Sequence, residues 1–327
     1  MTTRAELEAQ IEAEPTADAA YLILGDWLQL QGDPRGELIA LDAAAAASPV
    51  SFQKQRAELL ARHPELAPLP GPHLTLRWHL GFVRRIVLES DWSLLDLLPH
   101  PAFRFLTEVV CRSPEHKDFR DWLSRLADRV PLLRSLAIGN PEEQFYRWSA
   151  EVLDLDALVP QLAQLDHLFA SEPVTFAAAP RLRSLIVRGD AEAMHRIERT
   201  ALPAIERLGF RQRDTKSVLQ LADLRWLLDA PPPKLSALEL EFVPAGDIVR
   251  AIAGSKLLPQ LRRLRLWNAG ITPEVARLFT RQAFGHLEVL DLSDPLLTDE
   301  TVALVRDACP DVRTISPWMR EILRRPE

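Results

Sequence analysis

Residues 235–311 read LSALELEFVPAGDIVRAIAGSKLLPQ (235–260), LRRLRLWNAGITPEVARLFTRQAFGH (261–286) and LEVLDLSDPLLTDETVALVRDACPD (287–311) when the chain is divided at a recurring leucine motif. Each block opens with L-x-x-L-x-L, and successive blocks start 26 residues apart. Val312 and Ile315 begin a further block 25 residues later. A repeat of this length is typical of a solenoid, in which each unit is one small supersecondary structure.

Each block predicts a short strand followed by a helix. Leu264 and Leu266 are two residues apart, so they lie on the same side of a strand. Thr272 then suits a helix N-cap and Pro273 the first helical position, and Thr298 takes the equivalent place in the next block. A single unit of this kind cannot bury its own apolar faces, whereas stacked units can. Strand–helix–strand connections of one hand then predict a parallel sheet.

These blocks resemble leucine-rich repeats, and in particular those of the ribonuclease-inhibitor-like class. The resemblance implies an α/β horseshoe solenoid with a parallel inner sheet and outer helices. One feature departs from the family pattern. The family usually has Asn or Cys three positions after the last strand leucine, where the side chain satisfies backbone groups of the turn. This sequence has Val243, Ala269 and Pro295 there, so the side-chain ladder is expected to be missing.

Weaker copies of the motif extend the series upstream. Ten starts are predicted, at residues 83, 106, 133, 165, 182, 205, 235, 261, 287 and 312. The 17 residues between the starts at 165 and 182 are too few for a full helix, so either that unit is irregular or the register is different there. The segment 143–159 has helical apolar spacing, and Trp318 to Arg324 predicts a last helix that seals the C-terminal edge.

The first 65 residues have helical apolar spacing and differ from the repeats. The run Tyr21-x-x-Leu24-Gly25-Asp26-Trp27-Leu28, followed by Gly32-Asp33-Pro34-Arg35-Gly36-Glu37-Leu38-Ile39, resembles the bacterial repeat-companion domain. That resemblance implies a bacterial source and a module that precedes leucine-rich repeats, without any activity. Solenoids need their terminal apolar faces covered, so we expect an all-helical cap. Arg35 and Glu37 are candidates to fix its turn by pairing with Asp26 or Asp33.

The predicted domain organisation has three parts. Residues 1–65 form the helical repeat-companion cap, the proline-rich residues 66–80 a linker, and residues 81–327 the leucine-rich-repeat solenoid with its C-terminal capping helix.

Composition limits the compartment and the class of partner. The net charge of −7 makes nucleic acid an unlikely partner for the molecule as a whole. Two cysteines, Cys111 and Cys309, imply no disulfide framework and favour a reducing environment. The N-terminus is charged and amphipathic, unlike a signal peptide, and no apolar run approaches the roughly 20 residues that cross a bilayer. These features predict a cytoplasmic protein without membrane contact.

Motifs that carry chemistry are missing from the sequence. There is no G-x-x-x-x-G-K-[ST], G-x-G-x-x-G, G-x-S-x-G or H-E-x-x-H, and the eight histidines have no pair at metal-ligand spacing. We therefore expect no catalytic residues, no metal and no cofactor, and predict that the protein is not an enzyme.

The candidate partner site consists of residues that alternate with the inward strand leucines and would line the concave groove. The set includes basic rows, an acidic row and a tryptophan: Arg188, Arg207, Arg211, Glu239, Glu241, Arg263, Arg265, Trp267 and Asp291. Arg and Trp are the residue types most often found to anchor interfaces. Alternatively, Glu239 and Glu241 pair with Arg211 and Arg265 across neighbouring strands and serve the structure. Both interpretations stay open from the sequence.

The predicted function is non-catalytic binding of a protein partner by a cytoplasmic scaffold or regulator. A sharper version is an inhibitor or immunity-type protein that blocks an enzyme or toxin. An alternative of another class is nucleic-acid binding through the basic rows, including Arg211 to Arg213 and Arg262 to Arg265, which predicts a steep loss of affinity with salt.

Overall fold

The structure is a computed structural model, and it describes residues 2–47, 49–68, 73–89, 94–112, 119–139, 152–171, 174–189, 191–198, 200–212, 219–294, 297–309 and 311–314. The chain divides into two compact units. The first consists of Met1–Asn140 with Gln161–Gln164, and the second of Pro141–Pro160 with Leu165–Glu327. The predicted domain boundaries at residues 65 and 80 fall inside the first unit.

The first unit contains four N-terminal helices followed by strands. Its elements are α1 (Arg4–Ala13), α2 (Asp18–Leu30), α3 (Pro34–Ala47), α4 (Pro49–Arg62), β1 (Leu74–His79), β2 (Phe82–Leu88), α5 (Leu94–Leu97), β3 (Glu108–Cys111), α6 (Phe119–Arg129) and β4 (Ser135–Ile138). Short 3-10 turns lie at Pro64–Leu66 and Pro101–Phe103. The all-helical character predicted for residues 1–65 is confirmed.

The N-terminal helices share one apolar core with the strands that follow. Their buried side chains pack against residues from the first repeat, and the cluster is formed by Leu7, Ile11, Tyr21, Leu24, Leu28, Ile39, Leu80, Phe82 and Phe105. Tyr21 lies edge-on to Phe105, with ring centroids 5.6 Å apart, and its hydroxyl donates to the Pro15 carbonyl. The helical segment therefore covers apolar surface of the first strands, as the predicted cap requires.

Arg35 joins the helical segment to the β1–β2 hairpin. Its side chain is buried, and Nη1 donates to the Gly81 carbonyl at 2.8 Å while Nη2 donates to the Leu66 carbonyl at 3.2 Å. Only its backbone amide contacts the Asp33 carboxylate, and Glu37 instead pairs with Arg62 at 3.5 Å. The expectation that Arg35 and Glu37 pair with Asp26 or Asp33 is therefore wrong for their side chains.

Part of the predicted linker is a strand. Residues Leu74–His79 form β1, which pairs antiparallel with β2 across a turn in which Leu80 and Gly81 have positive φ. From β2 onward the first unit is parallel, with Ile86 beside Val109 and Val109 beside Leu136.

The second unit is built from the repeats with the clearest leucine motif. Its elements are β5 (Leu153–Asp154), β6 (His167–Ala170), β7 (Val174–Thr175), β8 (Ser184–Gly189), α7 (Ala191–Glu198), β9 (Arg207–Gln212), α8 (Leu221–Asp229), β10 (Ala237–Glu241), α9 (Ala245–Ala253), β11 (Arg263–Trp267), α10 (Pro273–Ala276), α11 (Arg281–Phe284), β12 (Val289–Ser293), α12 (Asp299–Arg306) and β13 (Val312–Thr314).

The leucine period fixes the register of this parallel sheet. The order is β6-β8-β9-β10-β11-β12-β13, and neighbouring strands pair at equivalent positions of their motifs. Leu208, Leu238, Leu264 and Leu290 are consecutive partners along the sheet, and each is buried. Strands occur at all ten predicted starts, and helices follow most of them. The predicted α/β leucine-rich-repeat fold is confirmed.

Two predictions about the irregular region have different outcomes. Strands β6 and β8 pair directly, with Leu168 beside Leu185, so the register was right and the unit between them is irregular, with β7 in place of a helix. The helix predicted at 143–159 is wrong for its described part, which holds β5 and turns because β5 pairs with β7. The predicted helix from Trp318 to Arg324 lies outside the described residues.

The turns after β10 and β11 have an unusual backbone conformation, and the second of them is stabilised in a way that the family pattern did not predict. Phe242 and Asn268, one residue after each strand, have φ of 51° and 49°, a conformation that non-glycine residues rarely adopt. After β11, the buried Asp294 carboxylate accepts hydrogen bonds from the Gly270 and Ile271 amides at 2.6 and 3.1 Å. At this turn a side chain does satisfy the backbone, although it sits two residues after Leu292 rather than three.

Candidate functional site

The candidate site lies on the sheet face that the strand leucines leave free, which we call the strand face. Because side chains alternate along a strand, residues between the buried leucines project from this face. It is formed by Phe169 of β6, Ser184, Ile186 and Arg188 of β8, Arg207, Gly209 and Arg211 of β9, Ala237, Glu239 and Glu241 of β10, Arg263, Arg265 and Trp267 of β11, and Val289, Asp291 and Ser293 of β12. All nine predicted site residues lie on it.

Glu239 is the centre of an ion-pair network on the strand face. Its carboxylate is mostly buried, and Oε1 accepts from Arg207 Nε at 2.8 Å and from Arg207 Nη2. Its other oxygen lies 3.9 Å from Arg211 Nη2 and 3.9 Å from Arg265 Nη1. Arg265 also pairs with Asp291, at 3.2 Å. One carboxylate thus contacts guanidinium groups from both neighbouring strands.

Gly209 lies beside the centre of this network, where there is little room for a side chain. Gly209 is the register partner of Glu239, and a Cβ there would lie 3.0 Å from a γ-carbon of Ile186 and 3.4 Å from the Glu239 Cβ. Without a side chain at this place, Arg207 and Arg211, two residues before and after it, reach Glu239 diagonally. Diagonal neighbours on a sheet are within reach of long side chains.

Trp267 contacts two arginines through its ring. The Arg265 guanidinium carbon lies 4.6 Å from the Trp267 ring centroid, and that of Arg211 lies 5.5 Å from it. Arg211 also lies 5.6 Å from the Phe169 ring. Cation–π contacts of this kind fix both partners. Phe169 was not among the predicted site residues, although its place directly after Leu168 would have assigned it to this face.

Glu241 is buried at the end of the strand face. Burial raises the pKa of its carboxyl group, and the positive charges of Arg188 and Arg211 together with a hydrogen bond from the Asn268 side chain oppose that rise. Burial likewise lowers the pKa of Arg211, against the attraction of Glu239 and Glu241. Both glutamates are buried beside arginines of the same face and have little surface to offer a partner.

The surface that remains accessible on this face is basic. Arg263 is the more exposed of its two outermost arginines, with 67% of its side chain accessible, and Arg207 has 44%. Within the described part of the chain, Arg263 forms an ion pair with the exposed Glu288, at 3.9 Å. The alternative of structural pairing describes Glu239 and Glu241. Arg207 takes part in that pairing through Glu239, but its side chain and that of Arg263 remain accessible to a partner. Their binding role stays a prediction.

Metal ligands, thiols and apolar helices in the described part of the chain bear on other classes of function. There, no group of three or more His, Cys, Asp or Glu side chains is arranged to hold a metal ion. Cys111 and Cys309 are buried free thiols, and burial raises the pKa of both. None of the helices in the described ranges combines the length and apolar character that a membrane-spanning segment requires.

The second unit has the leucine-rich-repeat fold, in which each strand of a parallel sheet buries the leucines of its own motif. No family model matches the sequence, and the comparison with curated proteins found no match. Among solved structures, the chain is similar to the leucine-rich-repeat-containing protein LegL7 from Legionella pneumophila, at 15% sequence identity and a TM-score of 0.45. The similarity covers 71% of this chain and 82% of that one.

Proposed function

We propose that the protein is a non-catalytic, cytoplasmic scaffold or regulator that binds a protein partner on the strand face. The observation that carries this proposal is that the exposed side chains of Arg207 and Arg263 lie on the same sheet face as Trp267, whose ring is already contacted by Arg211 and Arg265. Arg and Trp side chains dominate the binding energy of many interfaces, and side chains that are fixed beforehand lose less entropy on binding.

The charge of the face indicates the chemistry of the partner. Glu239 and Glu241 are buried among arginines, so the groups that meet a partner first are Arg207 and Arg263. We therefore propose that the partner presents an acidic segment. An inhibitor that occupies an acidic surface of an enzyme or toxin is one form of this function.

Affinity capture from the native host tests the proposal. The wild type is compared with Arg263→Glu/Trp267→Ala and with the control Arg250→Glu, which reverses an exposed charge on α9 away from the strand face. We expect a protein that the wild type and Arg250→Glu recover and the double variant does not. Retained secondary structure of the double variant, measured by circular dichroism, excludes misfolding as the cause.

The same experiment distinguishes the alternatives. Equal recovery by all three proteins would place the binding site elsewhere and contradict the proposal. If nuclease treatment removes the recovered material and its retention falls steeply between about 50 and 200 mM salt, the function is nucleic-acid binding instead.

A further inference from the structure

Helix α2 exposes a stripe of large apolar side chains. Leu22, Ile23 and Leu30 are 40%, 52% and 84% exposed. Within the described ranges they are the most exposed of the large apolar residues. The opposite side of the same helix is buried in the core of the first unit through Tyr21, Leu24 and Leu28. Helix α2 is thus apolar on both sides, although a surface helix ordinarily has one apolar face.

The exposed side chains form one continuous surface. At 3.6 residues per turn, Leu22, Ile23 and Leu30 fall within a sector of about 100° together with Ala19 and Asp26. Ala19 and Asp26 are also exposed. An exposed apolar patch bordered by polar groups marks an interaction site more often than scattered single residues do.

The charge at and around this stripe is negative. Asp26 lies within the stripe, one helical turn from both Leu22 and Leu30. Residues 1–65 contain eleven Asp and Glu against five Lys and Arg, a net charge of −6, so most of the chain's −7 lies in this segment. A partner of positive charge is therefore attracted to this end of the sequence.

We propose that the α2 stripe docks an amphipathic helix of a partner protein, with a Lys or Arg placed opposite Asp26. The apolar side chains of that helix cover Leu22, Ile23 and Leu30, and its cation compensates the carboxylate that docking removes from water. An amphipathic helix laid along an apolar surface with anchors one or two turns apart is a recurrent mode of recognition. This inference does not depend on the function proposed for the strand face.

Charge disfavours a second copy of this chain as the occupant. In a symmetric antiparallel pair of α2 helices, a residue near the midpoint of the stripe meets its own copy. Asp26 lies near the midpoint of the segment from Ala19 to Leu30, so the two carboxylates would approach each other in apolar surroundings. Like charges brought together and removed from water are unfavourable.

The test uses the full chain and two synthetic amphipathic helical peptides. Both carry the same leucine stripe; one has lysines beside the stripe and the other has glutamates in those places. A third peptide has the lysine composition in scrambled order. Binding is measured by fluorescence anisotropy for the wild type, for Ile23→Gln/Leu30→Gln and Asp26→Lys, and for the control Ala40→Gln, which alters an exposed position of α3.

We expect the wild type to bind the lysine peptide at least about tenfold more tightly than either other peptide. Ile23→Gln/Leu30→Gln keeps the net charge and should lose about tenfold or more in affinity, because two apolar anchors are removed. Ala40→Gln should bind like the wild type. Asp26→Lys should reverse the preference between the lysine and glutamate peptides.

Three results would overturn the proposal. Equal binding of the lysine and scrambled peptides would show attraction by charge alone, and undiminished binding by Ile23→Gln/Leu30→Gln would place the contact elsewhere. A wild-type dimer that Ile23→Gln/Leu30→Gln dissociates, measured by analytical ultracentrifugation, would assign the stripe to a second copy. Unchanged thermal unfolding of the variants shows that the fold is intact.

Discussion

The carboxylate of Glu239 is the negative charge around which three arginines of the strand face are arranged. It contacts Arg207, Arg211 and Arg265 from two neighbouring strands. Replacement by Gln removes the carboxylate that these three arginines share, and removal of one partner of a buried charge network is destabilising. Because Arg207 and Arg265 remain partly exposed to water, we expect Glu239→Gln to lower the free energy of unfolding by about 1–2 kcal/mol in urea denaturation.

Glu288→Gln is the matched control for this prediction. Glu288 contacts Arg263 at 3.9 Å with both side chains largely exposed, so its loss should change stability by less than about 0.5 kcal/mol. If both variants have the same stability, the Glu239 network contributes no more than a surface ion pair does.

The buried carboxyl group of Glu241 is expected to make the folded state less stable as pH rises, whereas most carboxyl groups make it less stable as pH falls. Burial raises its pKa in the folded state above the usual 4.5, so the folded protein favours the protonated form. Its contribution to stability is complete below pH 4.5 and is lost as pH rises through the raised pKa.

Gln mimics the neutral carboxyl, so the stability of Glu241→Gln relative to wild type should increase between pH 4 and pH 7. Urea midpoints at the two pH values measure this. A relative stability that falls over this range would show that Arg188 and Arg211 outweigh burial.

The membership of the strand face could be predicted from the sequence, but its internal contacts could not. Alternation about the leucines assigned all nine predicted residues to one face, because the side-chain period of a strand is strict. Glu239 lies directly beside Gly209, which has no side chain to pair with it, and it is Arg207, two residues away, that hydrogen-bonds to Glu239. That contact depends on the rotamers of long side chains, which no residue spacing specifies.

At the scale of elements, the leucine period predicted the strands of the recurring motif and missed a strand that occurs once. The ten starts were correct because each strand buries the same leucine positions beside its neighbour. Strand β1 was missed because it lies in a proline-rich stretch, has no copy elsewhere and pairs antiparallel. The role of Asp294 was missed because the turn after β12 places its carboxylate one position earlier than the family pattern.

The β1–β2 hairpin is held to the helices by Arg35, which gives a prediction at this scale. Lys at position 35 has one compact ammonium group in place of a planar fork, so it cannot reproduce both bonds to the Leu66 and Gly81 carbonyls. We expect Arg35→Lys to destabilise the first unit by about 2 kcal/mol. Hydrogen exchange measured by mass spectrometry should accelerate in residues 74–88.

Arg62→Lys provides the comparison for Arg35. Arg62 also lies in the helical segment, but its contact with Glu37 is exposed on both sides. Its exchange pattern should match that of the wild type. Unchanged exchange in Arg35→Lys as well would mean that the apolar core alone secures the hairpin.

At the scale of the whole molecule, the two cysteines provide one internal probe for each compact unit. Cys111 belongs to the first unit and Cys309 to the second, and both thiols are buried. The stability of repeat proteins is approximately a sum of local contributions and contacts between neighbouring repeats. A substitution should therefore act most strongly on the thiol of its own unit.

Pulsed thiol labelling across a urea gradient, with the two cysteines resolved by mass spectrometry, measures this directly. In the native protein both thiols should resist labelling, because burial excludes the reagent and raises the pKa of Cys111 and Cys309. Glu239→Gln should lower the labelling midpoint of Cys309 more than that of Cys111, and Arg35→Lys should do the reverse, since each variant alters contacts within one unit. Equal shifts of both midpoints in both variants would contradict this local picture and show that the chain unfolds in a single cooperative step.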